Sequence, residues 1–173
     1  TNTGSQTLSY EISMAELRSS FASAAPGSAK VDRNITSSTL TLNAEEYTPG
    51  TMQDWTFTVY NASTDAEWLK DVIITFPTGV IVNSVTSFVG GSGGDLVADN
   101  TNGSGITITW HGQNSSGYGL IQSRQTATAT VNVSIAPSFG GTMSLPFQII
   151  GDEYNAEPHT ISGTLTVAQA IPP

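Results

Sequence analysis

A chain of 173 residues with a net charge of −9 and no cysteine is long enough to bury a core without disulfides. The absence of Cys excludes a thiolate metal site, a cysteine nucleophile and a disulfide framework. Its five cations, Arg18, Lys30, Arg33, Lys70 and Arg124, are scattered, which excludes a basic surface for nucleic acid or an anionic membrane.

Only 11% of residues are charged, against about 25% in typical soluble domains. Ser, Thr, Gly and Asn fill the polar positions instead, a mix suited to β-rich proteins outside the cell. No stretch reaches the ~20 apolar residues of a membrane span. Beginning at Thr1 rather than Met, the sequence is expected to be a mature or excised piece of a longer protein.

In chain order, Gln6 to Ser13 comes first, with Leu8, Tyr10 and Ile12 alternating against polar residues, a strand pattern. Ser13-Met-Ala-Glu16 then forms a capping box, and Met14, Leu17 and Phe21 fall at helical spacing. One short helix is predicted over 14–24, ended by Pro26-Gly27. Residues 1–35 are thus expected to be a strand, a helix and a linker, and residues 36–173 a separate β domain.

From Ser37 the pattern is strands divided by turns. Thr39 to Asn43 is short, and Pro49-Gly50 turns the chain. Trp55, Phe57 and Val59 alternate with Thr56, Thr58 and Tyr60. Val72 to Phe76 is a nearly continuous apolar run, as in a central strand. Pro77-Thr78-Gly79 makes a reversal, Val80 to Val89 a longer strand, and Gly90 to Gly94 a loop. Ile106, Ile108 and Trp110 alternate, as do residues 126–135, and strands follow at 145–150 and 159–167. Seven to eight strands at this spacing predict an all-β antiparallel sandwich. Trp55 and Trp110 are its expected core anchors.

One arrangement has a familiar form: Thr48-Pro-Gly50, then Trp55-Thr-Phe-Thr-Val-Tyr-Asn61, then Leu69-Lys-Asp-Val-Ile-Ile-Thr-Phe-Pro77-Thr-Gly79. It resembles the immunoglobulin-like repeats of bacterial and archaeal secreted and surface proteins. The opening Asn2 to Ser13 is similar to a strand found in sandwich modules of multidomain secreted proteins. The resemblance implies a non-catalytic structural or adhesive module, extracellular or on the cell surface. Its partners would be neighbouring modules of the same polypeptide.

The candidate chemistry is sparse. His111 and His159 have no second His at metal-ligand spacing, and no G-x-S-x-G elbow or phosphate loop occurs. No enzyme, and no cofactor other than calcium, is expected. Calcium is the plausible ligand, because hard oxygen donors cluster in loops. The candidate groups are Asp95, Asp99 and Asn100; Asp152 and Glu153; and, more weakly, Asp65 with Glu67. Asn34, Asn61, Asn102, Asn114 and Asn132 open N-x-S/T sequons. Two other functions compete with the structural module. The strand at residues 7–13 could enter a sheet edge of an identical subunit to build a filament or surface layer. Alternatively, Tyr47, Tyr60, Trp68, Tyr118 and Tyr154 could bind glycans.

Overall fold

A computed structural model describes residues 33–153 and 158–171. The chain divides into two compact units, residues 1–31 and 32–173, and the description concerns the second. The predicted N-terminal strand and the helix at 14–24 lie outside the described residues.

The described residues form strands alone: β1 (Thr39–Leu42), β2 (Glu46–Tyr47), β3 (Met52–Tyr60), β4 (Leu69–Thr75), β5 (Val80–Val85), β6 (Val97–Ala98), β7 (Gly103–Ser104), β8 (Thr107–His111), β9 (Thr126–Ile135), β10 (Met143–Gly151) and β11 (Thr160–Gln169). They build two sheets, ordered β1-β3-β9-β5-β7 and β2-β11-β10-β4-β8-β6. The two sheets pack face to face as an immunoglobulin-like sandwich.

Eleven strands stand where seven to eight were predicted. The surplus is β2, β6 and β7, two residues each, too short to carry an alternation that periodicity can detect. The strand predicted at 80–89 stops at Val85. Beyond it the chain keeps beside β9 through the Thr86–Thr130 and Val89–Thr128 hydrogen bonds, while Phe88 bridges Leu96.

The period-two pattern fixes the faces. Trp55, Phe57 and Val59 point inward from β3, as do Ala127, Ala129, Val131 and Val133 from β9. The β3–β9 ladder runs from Met52↔Ser134 to Tyr60↔Thr126. Across the core, Val72 and Ile74 of β4 and Ile108 and Trp110 of β8 face them. Trp55 and Trp110 are fully buried, as expected, and Trp110 meets Phe88 edge-on at 5.1 Å. Each such buried side chain contributes about 1.5–3 kcal/mol through removal of apolar surface from water. Ile35, which the sequence pattern leaves in the leading segment, is buried with them, and its N–H bonds Pro158 O at 3.1 Å.

Pro146 limits one ladder. It pairs with Thr164 of β11, and pairing with β4 begins only at Phe147↔Ile74. Without an N–H, Pro146 cannot extend the β10–β4 ladder.

Candidate functional site

At one end of the sandwich, the β3–β4 loop, the β10–β11 connection and residues 33–36 converge. Asn61 organises them. Its side chain is wholly buried, donating to Glu67 O at 2.9 Å and Ile121 O at 3.0 Å and accepting the N–H of Ser63 at 3.0 Å. The loop so held turns Glu67 into the interior, where Oε1 meets His159 Nδ1 at 2.7 Å. Among the described residues, Glu67 Oε2 has no hydrogen-bond partner. Burial pushes the Glu67 carboxyl above its ordinary range. The His159 hydrogen bond opposes that rise, and the charges of Asp152 and Asp65 add to it. Gly151 makes room for the pair, since a Cβ there would lie 2.0 Å from Glu67 Oε1.

Beside this pair, Asp152 accepts the N–H groups of Gly119 at 3.0 Å and Trp68 at 3.3 Å. Arg33 pairs with Glu153, and its Nη1 donates to Ala66 O at 3.1 Å. The guanidinium also lies 5.8 Å from the centre of the Tyr118 ring, within cation–π reach. Tyr118 meets Trp68 at 5.8 Å between ring centres. Arg33, Ala66, Trp68 and Tyr118 line a pocket of about 200 Å³. The surface of this end is therefore a guanidinium and two rings. The acid–imidazole pair is buried and holds the loops together.

A larger hollow, about 360 Å³, opens on the six-stranded sheet around Ile73, Thr75, Pro146, Gln148 and Ser162. These residues come from β4, β10 and β11. No charged side chain lines it. The outer face of the five-stranded sheet is different: Asp54, Asn132, Asn83 and Ser134 are joined there by side-chain hydrogen bonds.

The expected calcium donors are spread over this framework. Asp99 accepts the N–H of Thr109 at 2.8 Å, and Asn100 Nδ2 donates to Thr107 O at 2.8 Å, while Asp95 stays exposed on its loop. Asp152 and Glu153 serve the Arg33 cluster. Asp65 accepts from Ser63 Oγ at 2.6 Å and from the Asn34 N–H at 3.1 Å, and Glu67 faces His159. Among the described residues, no three His, Asp or Glu side chains gather in a way that could hold a metal ion. His111 pairs with Asp71 across the β4–β8 ladder. His159 lies in the connection before β11, buried and bonded to Glu67.

Of the sequons, Asn102 and Asn114 are exposed and Asn34 is half-buried. Asn132 lies on the outer face of β9, bonded to Asp54 at 2.6 Å. Asn61 is a correction: its amide is sealed in the interior, so the folded domain cannot present it to a glycosyltransferase. Tyr47 is another. Rather than a glycan platform, it is a core residue, donating to Gly141 O at 2.7 Å and packing edge-on to Phe139. Tyr60 is exposed at the end of β3, apart from the Trp68–Tyr118 pair, and Tyr154 lies outside the described residues.

Sequence reasoning missed Arg33 and the hollow. Arg33 had a signal, since it is one of five cations in a chain with fourteen acids and has to sit near some of them. The hollow had one too: a proline in an alternating strand run marks a break in pairing.

No protein-family model matches the chain, and no curated protein matches it. Solved structures do. The sixth cohesin of Acetivibrio cellulolyticus scaffoldin B, determined in complex with the Cel5 dockerin, superposes with a TM-score of 0.53 at 13% identity, covering 77% of this chain and 99% of that one. The N-terminal domain of the Streptococcus gordonii adhesin Sgo0707 gives 0.51 at 12% identity, over 77% of this chain and 32% of that one. An uncharacterised Nocardia farcinica protein with an immunoglobulin-like fold gives 0.48 at 19% identity, over 75% and 97%. At these identities the likeness to the cohesin and to the adhesin domain is one of fold alone.

Proposed function

We propose that this domain is a non-catalytic protein-interaction module of a larger secreted or cell-surface protein, docking through the outer face of its six-stranded sheet. The observation that carries this reading is the uncharged hollow around Ile73, Pro146 and Gln148, on a face that a partner's side chain can enter without desolvating a charge. The fold supports it, since a cohesin of similar architecture was solved bound to a dockerin. The low charge of the chain supports an extracellular setting. Gln148→Glu places a carboxylate in the hollow. The variant is expected to keep the wild-type melting temperature within about 2 °C, as surface substitutions do, and to lose retention in the cell-envelope fraction of the source organism. Retention equal to wild type would remove the reading.

A second reading, glycan binding, is favoured by the Trp68–Tyr118 pair beside Arg33. A glycan array that Trp68→Ala silences would support it, and an array without hits would dismiss it.

A further inference from the structure

β11 differs from the other long strands at its edge. β10 covers one side of it from Thr160 to Val167. On the other side, β2 meets only Ala168 and Gln169. Among the described residues no other strand pairs with β11 there, and the Ile35 N–H bonds Pro158 O just before the strand begins. β3, β4, β9 and β10 are each flanked by two strands. β8 is closed by β6 together with the side chains of Asp99 and Asn100.

The direction of the free groups follows from the short parallel pairing. The N–H of Ala168 bonds Glu45 O at 2.9 Å and that of Ala170 bonds Tyr47 O at 2.8 Å. Even-numbered residues of β11 therefore aim their main-chain groups away from β10. Thr160, Ser162, Thr164 and Thr166 present theirs to an edge that no strand among the described residues pairs with.

Natural edges of this length are defended by Lys, Pro, a bulge or an inward charge. β11 reads TISGTLTVAQ and has neither charge nor proline. Its margin is apolar: Ile161 and Leu165 are half-buried, and the Phe147 ring lies where a Cβ on Gly163 would be.

We propose that β11 is a self-pairing edge, with two copies of the chain joined antiparallel about a two-fold axis at Gly163. This register sets Ser162 opposite Thr164 of the second copy and Thr160 opposite Thr166. Every outward-aimed residue then meets an outward-aimed residue, and each pair exchanges two main-chain hydrogen bonds. On the core side Ile161 faces Leu165 of the second copy, which covers the apolar margin. On the outer side hydroxyl stands opposite hydroxyl. A neutral edge selects no charged partner, but it matches itself, and a two-fold contact closes as a dimer. The edge adjoins the docking face, since Ser162 and Gly163 also line its hollow, but the pairing is made by main-chain groups of β11 and does not depend on a partner entering that hollow.

The absence of Cys gives a clean test. Sedimentation of the full chain across a concentration series should show a monomer–dimer equilibrium. Thr164→Lys puts an ammonium into the contact and should weaken the dimer by roughly tenfold or more, about 1.4 kcal/mol, with the melting temperature unchanged at concentrations where the wild type is monomeric. Under mild oxidation, Ser162→Cys with Thr164→Cys should yield a covalent dimer. Thr160→Cys with Thr164→Cys, out of register, should not. A monomer at all concentrations, a dimer indifferent to Thr164→Lys, or equal crosslinking by both cysteine pairs would overturn the proposal.

Discussion

Asn61 and Glu67 show what one residue can decide here. Asn61 follows β3 and accepts the Ser63 N–H of the next loop, a local bond that a strand-ending asparagine readily makes. Its second task, tying the Glu67 and Ile121 carbonyls together, joins residues sixty positions apart, and no local pattern announces it. Glu67 was legible as an acid in a polar loop and, with Asp65, as a candidate calcium donor. Its burial follows from Gly151 and His159, which come from the far end of the chain. The consequence is a pH dependence of defined sign. A carboxyl whose folded pKa is raised above its unfolded value contributes stability that is fully present below about pH 4.5, and this stability is lost as pH rises through the raised value. Glu67→Gln removes that proton linkage. The melting temperature of the variant relative to wild type should therefore climb between pH 4 and pH 7, by roughly 3–5 °C per unit by which the group is displaced. A difference that falls over this range, in paired calorimetric scans, would contradict the assignment.

At the scale of elements, the alternating runs told their own story. The strand read at 126–135 is β9 residue for residue, because one buried and one solvated face impose a strict period of two. Two-residue strands carry no such signal and were invisible. So was the treatment of sheet edges, because an edge is defined by a neighbour that is missing. Asp99 and Asn100 look like cation ligands in sequence, yet their side chains bond the main chain of β8 where another strand would lie. Asp99→Ala should leave the Thr109 N–H without its side-chain acceptor and lower stability by about 1 kcal/mol. Chemical denaturation with unchanged m-value checks this; a variant as stable as wild type would show that the contact contributes nothing.

For the whole molecule, the sandwich itself was legible, because turn residues at regular spacing and inward Trp55 and Trp110 leave few other architectures. The proposed docking face was not. Ile73, Pro146, Gln148 and Ser162 lie on three strands, two of them some seventy and ninety residues beyond the first, and only sheet assembly brings them to one hollow. On the proposed function this face, and not the hydrogen-bonded face of the five-stranded sheet, receives a protein partner. Site-specific photocrosslinking in the source organism tests it most directly, with the photoreactive residue at Gln148 on one face or at Thr58 on the other. A discrete protein adduct from Gln148, abolished by Ile73→Glu and absent from Thr58, is the predicted result. Adducts of equal yield from both positions, or from Thr58 alone, would contradict it.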